Sequence, residues 1–409
     1  MSAQRFNKLF SHNSQSFTLI EMLITIAIIA VLMTVTVVAI NPNEMTKKAR
    51  DTQRLTDMSN LQMIMELARS EGMLNSSYCD GTKIYASLPS ETPLSNSNLP
   101  AGVSWAQVSR DNIRNADGSG WLPFNFKNLV GLQVTVLPVD PKNSLNDSLY
   151  YTFYCNPQRQ YIFTAYPESK TFGPKGGKDS KTIADGGPDP YVYEVGNNLF
   201  ISPLKPVGSW SFEEGSGTIA ADSSGNNNNG ILMNGPTWTT GQVGGALSFD
   251  GSDDYVIINK NITGGFTGLT AEVWVFPTKT ATNIFGGSNY AFLLHLHTNV
   301  GAAFYLVGED GTASGYINYK SGAIKLNQWN YIVATWDGSV MRLFVNTEIQ
   351  NQQNFNGGST GKLRSSLSVT IGNYFNSSQT YFGGLIDEPR IYNRALSAEE
   401  IKRHYEESK

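Results

Sequence analysis

Cysteine is scarce in this 409-residue chain, with only Cys79 and Cys155 present. That excludes a disulfide-dense scaffold, and two lone cysteines without neighbouring histidines lack the ligands for a zinc site. Charge is sparse as well. Asp, Glu, Lys and Arg make up 16% of residues, the net charge is −4, and no long block of Lys or Arg occurs. Nucleic-acid binding, which relies on a basic surface, therefore has no electrostatic basis here. The glycines of 173-GPKGGK-178 follow no apolar strand and open no apolar helix, so they do not form a phosphate loop.

What the chain does have is glycine and aromatics: 39 Gly, 20 Phe, 19 Tyr and 7 Trp. Asn, Ser and Thr separate short aromatic and β-branched runs, a pattern of β-rich extracellular modules. The length exceeds one ordinary core and points to two or three domains.

One long apolar run stands apart, 16-SFTLIEMLITIAIIAVLMTVTVVAI-40, which carries a single charge at Glu21. As a helix from Phe17 to Ile40 it would extend about 36 Å, enough for a bilayer core of about 30 Å. The leader before it holds Arg5, Lys8 and His12 and no acid, which predicts a cytoplasmic N-terminus and export of the rest. No small-residue cleavage site follows the run, so it is expected to be retained. A plain signal anchor leaves Glu21 unexplained, because a lone carboxylate in lipid costs at least about 2.5 kcal/mol.

The residues Ser16-Phe17-Thr18-Leu19-Ile20-Glu21 resemble the processing site of type IV pilins and type II secretion pseudopilins. The resemblance implies that a prepilin peptidase cuts before Phe17, methylates the new amine and leaves the helix in the membrane. Glu21, then fifth in the mature chain, would pair with the Phe17 amine of a neighbouring subunit during assembly. Ser16 stands where that family usually carries Gly.

Beyond Pro42, which is expected to kink or locally melt the helix, residues 44–72 read as amphipathic. Leu55, Met58, Leu61, Met65 and Ala68 form the apolar stripe, and Lys47, Lys48, Arg50 and Arg54 are expected to face elsewhere, toward headgroups or neighbouring subunits. Strands are predicted at 105–108, 131–136, 149–154 and 161–165, with a last one in 191–200. A helix wrapped by an antiparallel sheet is an α+β arrangement. Leu137-Pro138-Val139-Asp140-Pro141 is similar to the head of pseudopilins. Cys79 and Cys155 both fall in this exported head, either as a disulfide closing a loop of roughly 75 residues or as two buried thiols. Residues 168–190 read as a loop or an exposed excursion.

From Gly208 the pattern is all-β, punctuated by Asp250-Gly251, Asp310-Gly311 and Asp337-Gly338, and implies a two-sheet jelly roll. Trp210 to Gly215, Asp222 to Gly225, Phe249-Asp250-Gly251, Glu272 to Val275, Trp329 to Gly338 and Gly384 to Tyr392 resemble successive landmarks of laminin-G-like, concanavalin A-like domains. That resemblance implies a possible Ca2+, with Asp222 and Asp387 as candidate ligands; an Asx-turn at Asp222 and a backbone bond at Asp387 are the alternative roles. Retaining glycosidases on such sandwiches place two carboxylates about 5 Å apart, commonly on alternate strand residues. No Glu-x-Asp-x-Glu is present, and the adjacent Asp387 and Glu388 face opposite sides of a strand, so no enzyme is expected. His295-x-His297 shares a face and is read as structural.

The expected organisation is a leader (1–16), a transmembrane and assembly helix (17–40), an α+β pilin head (41–200), a linker (201–207) and a jelly-roll sandwich (208–409). The expected role is a surface-displayed, minor type IV pilin-like subunit whose sandwich binds a glycan or surface protein. Implied partners are other pilin subunits, the prepilin peptidase and an inner-membrane assembly platform. Placement is first single-pass in a bacterial cytoplasmic membrane and then in an extracellular pilus. The alternative is a pseudopilin of a type II secretion or DNA-uptake machine that recruits an exported substrate.

Overall fold

The computed structural model describes residues 18–409 except 312, 318–320 and 375–379, and the side chains of 34–40 also lie outside it. Ser16 and Phe17 fall outside the described residues. The chain divides into two compact units, 1–49 and 50–409.

In the first unit, α1 (Leu19–Ile40) opens with a capping box. Thr18 accepts the Glu21 amide, while the Glu21 carboxylate accepts the Thr18 amide at 3.0 Å and its hydroxyl at 2.9 Å. Asn41, at φ 45°, ends the helix in the left-handed region, and Pro42 takes the first position of α2 (Pro42–Ser70), where its missing N–H costs nothing. Description of the α1 side chains stops at Met33. Among the described residues, no helix is long and apolar enough to cross a membrane.

In the second unit, α2 from Arg50 onward buries Met58, Leu61, Ile64, Met65 and Ala68 against a small sheet. The sheet comprises β1 (Lys83–Ala86), β2 (Ser104–Ala106), β3 (Thr152–Cys155), β4 (Tyr161–Ala165) and β5 (Tyr193–Gly196), in the order β2-β1-β3-β4-β5. All pairs are antiparallel except β1 with β2. Phe153 and Phe163 meet at 4.8 Å in the middle of the core, with Trp121, Phe124 and Tyr161 around them. A disulfide joins Cys79 to Cys155, which lie 4.7 Å apart between Cα atoms.

Three local expectations differ from this structure. Residues 131–136 form no strand; Val136 makes one bridge to Asn115, while Val134 turns into the core and Val130 stays exposed. Arg54 does not face solvent. Its guanidinium, 2% exposed, bonds Asp140 through two nitrogens at 2.6 and 2.9 Å, Asp51 at 2.6 Å and Glu168 at 2.7 Å, clamping α2 to the loops that follow the sheet strands. Arg50 adds a second guanidinium on Glu168. The 168–190 loop is not an exposed excursion, since Ser169, Ser180, Thr182 and Asp189 are buried in it.

The sandwich begins with β6 (Gly208–Ser209), β7 (Ile219–Ala220), β8 (Gly230–Met233), β9 (Thr237–Thr240), β10 (Gly245–Asp250) and β11 (Tyr255–Ile258). It continues through β12 (Leu269–Pro277), β13 (Thr282–Gly287), β14 (Phe292–Leu296), β15 (Ala302–Val307), β16 (Ser314–Ile317) and β17 (Asn330–Trp336). β18 (Val340–Val345), β19 (Glu348–Asn354), β20 (Val369–Ile371) and β21 (Gly383–Tyr392) complete it, and α3 (Ala398–Ser408) closes the chain. One sheet has the order β19-β18-β17-β12-β21-β10-β9 with β6 beside β21; the other runs β16-β15-β14-β13-β20-β11-β8-β7. Trp210, Phe249, Val273, Phe285, Phe304, Trp336 and Ile371 fill the space between them.

The first sheet is covered on its outer face. Trp274, Tyr331 and Tyr392 pack against Leu396 and Ile401 of the α3 region, and α3 starts with a second capping box, Ser397 with Glu400. The head joins the same layer. Tyr191 stacks on His404 at 4.2 Å and receives a hydrogen bond from Arg390 at 3.0 Å, while the Arg403 guanidinium lies over the Tyr166 ring at 4.1 Å. Residues 201–207, expected as a linker, are tied down: Val207 donates to the Ile391 carbonyl at 2.7 Å, and Arg394 donates to Leu204.

Candidate functional site

The second sheet presents a different outer face. Strand alternation sends Phe285, Phe292, Leu294, Phe304 and Ile317 inward, so the intervening residues face out. Following the register from strand to strand gives one unbroken cross-strand row: Ile219, Ile231, Ile257, Thr370, Gly286, Leu293, Tyr305 and Tyr316. At about 4.8 Å per strand, eight strands carry this row for about 34 Å. It holds no charged residue. Its ends are exposed, Ile219 to 47%, Ile231 to 42% and Tyr316 to 36%, while Thr370, Gly286 and Leu293 in its middle are buried.

Aromatic rings gather at the Tyr316 end. Tyr290, exposed, stacks on Tyr374 at 4.5 Å and meets Tyr305 edge-on at 5.4 Å; Tyr305 lies 6.2 Å from Tyr316, which stacks with His295 at 6.1 Å. The Tyr290 amide donates to the Tyr374 hydroxyl at 2.9 Å, which holds that pair together. Gly286 lies beneath its neighbours: a Cβ there would come within 3.0 Å of Leu293 Cδ1 and 3.3 Å of the Tyr374 ring. Burial, and secondarily His297, pushes the His295 imidazole below its ordinary value and so favours a neutral ring among the tyrosines. Rings of this kind stack on the apolar faces of sugars, while their hydroxyls bond polar edges.

The covered face hides a polar centre that the sequence did not reveal. Glu272, fully buried on β12, accepts from the Tyr331 hydroxyl at 2.6 Å, from Arg390 at 3.1 Å and from the Tyr392 hydroxyl at 3.3 Å, and its second partner ring, His404, lies at 3.0 Å. Burial alone would raise this carboxyl. The charges of His404 and Arg390, with the hydrogen bonds, instead hold it at about 2. This cluster joins both sheet strands, α3 and, through Tyr191, the head.

The residues expected at a Ca2+ site do different work. Asp222 takes four donors, the amides of Ser209, Ser224 and Asn228 and the Ser224 hydroxyl, at 2.8–3.0 Å. Those donors fill the lone pairs of a carboxylate, so Asp222 staples its loop and does not fit a cation. Asp387 accepts the Val243 amide at 2.8 Å with one oxygen; the other is buried without a partner, and burial pushes the carboxyl up to about 7. Among the described residues, the acids that do converge are Asp250, Asp253 and Asp254, with one oxygen of each within 4.8 Å of the others. Their bonds to the amides of Ser252, Asp253 and Asp250 account for that turn. His295 and His297 rings lie 6.5 Å apart and, among the described residues, join no larger group of ligands.

Glu21, the remaining site residue in the described chain, sits in the first turn of α1 with its carboxylate satisfied by Thr18. The capping box was legible as Thr18-x-x-Glu21 and explains locally why an acid stands there.

Comparison with known proteins agrees with both ends of the chain. Residues 11–37 match the prokaryotic N-terminal methylation motif, and residues 250–402 match the concanavalin A-like lectin/glucanases superfamily. No curated protein matches. Similar solved structures include the binding domain of Paraclostridial Mosquitocidal Protein 1, at 18% identity and a TM-score of 0.41, over 49% of this chain and 51% of that one. The botulinum neurotoxin serotype G binding domain is similar at 15% identity and 0.39, over 49% and 50%. The serotype D ligand binding domain in complex with N-acetylneuraminic acid is similar at 18% and 0.39, over 49% and 50%. The chain thus spans about half the length of these structures. The chain carries a pilin-type N-terminal motif, which marks it for the membrane and then for a pilus or the cell surface, and a lectin-like jelly roll at its C-terminus.

Proposed function

We propose that this chain, with a methylation motif at one end and a concanavalin-like sandwich at the other, is a minor type IV pilin-like subunit that acts as an adhesin. It crosses the cytoplasmic membrane once with its N-terminus inside, loses the leader before Phe17, and assembles through Glu21. The sandwich binds a glycan at the tyrosine cluster around Tyr290, Tyr305 and Tyr316, and its role is binding and not catalysis. The observation that carries the reading is that one sheet face is sealed by α3 and the head, while the other keeps an uncharged cluster of Tyr290, Tyr305 and Tyr316 exposed or half-buried at one end.

The test is binding of the full-length protein in detergent to a glycan panel, with and without chelator. Tyr305→Ala with Tyr316→Ala should weaken the retained ligand at least tenfold without moving the unfolding midpoint. Equal binding by the double variant would refute the face as the site. In cells, Glu21→Ala should block entry into fibres while residues 50–409 still fold. Gene deletion that abolishes protein secretion but leaves surface attachment intact would favour the secretion pseudopilin instead.

A further inference from the structure

Between the head and the C-terminal helix lies a cavity of about 250 Å³. A cavity of about 150 Å³ is enough for one benzene ring, so this one has room for a single six-membered ring with substituents. Ser95, Asn146 and Glu399, all exposed, stand among its lining, which opens it to solvent. Its walls include three aromatic side chains, Trp105, Tyr150 and Tyr166. Trp105 and Tyr150 meet edge-on at 6.3 Å, and the Trp105 indole is held by the Ser95 carbonyl at 3.2 Å.

Two lining carboxylates are unusual. Asp189 is 6% exposed and Glu194 2%. Asp189 accepts the Tyr191 amide at 3.0 Å, and Glu194 accepts the Asp189 amide at 3.2 Å. Neither has an ion-pair partner within 4.0 Å among the described residues, and Asp185, which accepts the Glu194 amide at 2.8 Å, adds a third acid beside them. The position of Glu194 is enforced, since a Cβ at Gly187 would overlap its carboxylate. The cations of this region are committed elsewhere: Arg394 to Glu400 at 2.9 Å, and Lys205 to the Ser224 carbonyl at 2.8 Å. Burial pushes both Asp189 and Glu194 above the ordinary carboxylate range, and the charges of His404, Arg390 and Arg394 near Asp189 and of Lys205 near Glu194 offset it only in part.

An aromatic-walled cavity of ring size, with two buried acids outside any ion pair and with its own cations, Lys205 and Arg394, held by other partners, is complementary to a ring that brings a cation. We propose that this cavity binds an amino sugar, its ring against Trp105 and Tyr150 and its ammonium group on Asp189 and Glu194. The site is separate from the tyrosine row and does not rest on the adhesin reading.

Isothermal titration calorimetry on the full-length protein in detergent tests it, with glucosamine as probe. Its N-acetylated counterpart, which lacks the charge, should bind at least tenfold more weakly. Glu194→Gln should cause a similar loss, and Trp105→Ala, at a half-buried rim position, at least a threefold one. Tyr305→Ala should leave the affinity unchanged. Absence of binding, equal affinity for the acetylated sugar, indifference to both cavity substitutions, or loss of binding in Tyr305→Ala would each overturn the proposal. Equal affinity for lysine amide would overturn the sugar assignment, because it would show that the ring contributes nothing.

Discussion

Replacing Glu272 by glutamine perturbs the joint between sandwich, α3 and head while conserving shape. Every partner of this carboxylate is a donor: the hydroxyls of Tyr331 and Tyr392, the Arg390 guanidinium, and His404 when its Nδ1 carries a proton. A glutamine must turn its NH2 toward one of them and leave two donors facing each other. The charge is lost as well. The carboxyl is held at about 2 against an ordinary 4.5, and at about 1.4 kcal/mol for each tenfold change in proton affinity this corresponds to about 3 kcal/mol near neutral pH. Because the folded value lies below the unfolded one, this contribution is present above pH 4.5 and disappears as pH falls toward 2. Urea denaturation of wild type and Glu272→Gln at several pH values reads both features. The variant should lose about 3 kcal/mol at pH 7, and the difference should shrink between about pH 4.5 and pH 3. A loss below 1 kcal/mol at pH 7, or a difference independent of pH, would refute the argument.

Two further outcomes concern the head. Arg54→Met keeps the aliphatic stem but leaves Asp51, Asp140 and Glu168 facing one another with only Arg50 beside them; a loss of about 3–5 kcal/mol is expected in urea denaturation. Burial alone would raise Glu168, but Arg50 and Arg54 hold it below its ordinary value, so the penalty should diminish as pH drops through the acidic range; a pH-independent penalty would contradict the clamp. Substituting both Cys79 and Cys155 by alanine opens a loop spanning 76 residues and should cost about 4 kcal/mol, read as a lower urea midpoint; a change under 1 kcal/mol would mean that the bond does not restrain the unfolded chain.

Elements with strong local signals were legible. The apolar stripe of α2, the aromatic strands β3 and β4, and long sandwich strands such as β12 and β21 were each expected within a residue or two at most ends. The stretch 131–136 misled because alternation of apolar and polar residues also suits a loop that drops Val134 into a core. Helix α3 was missed although Ser397-x-x-Glu400 announces it, since the eye follows strand patterns through a β-rich region. Arg54 was misplaced for a deeper reason. Helical spacing assigns a charged residue to the wet side, and only the arrival of Asp140 and Glu168 from 86 and 114 residues away makes a buried guanidinium tolerable.

The tyrosine row shows the same division. Tyr305 and Tyr316 each announce a strand, but nothing local says that Ile219 and Tyr316 lie in one line, because that depends on the register of eight strands drawn from a span of about 150 residues.

By itself, the sequence determined the membrane-type run with its acid at Glu21, the α+β head and the jelly roll, because these rest on composition and on periodicities of two and 3.6 residues that each segment carries alone. Tertiary structure decided which carboxylates are stapled, which are paired, and which part of each sheet face stays exposed. Those properties are set by neighbours distant in the chain, and a charge or an apolar surface acquires its role only from what is packed against it.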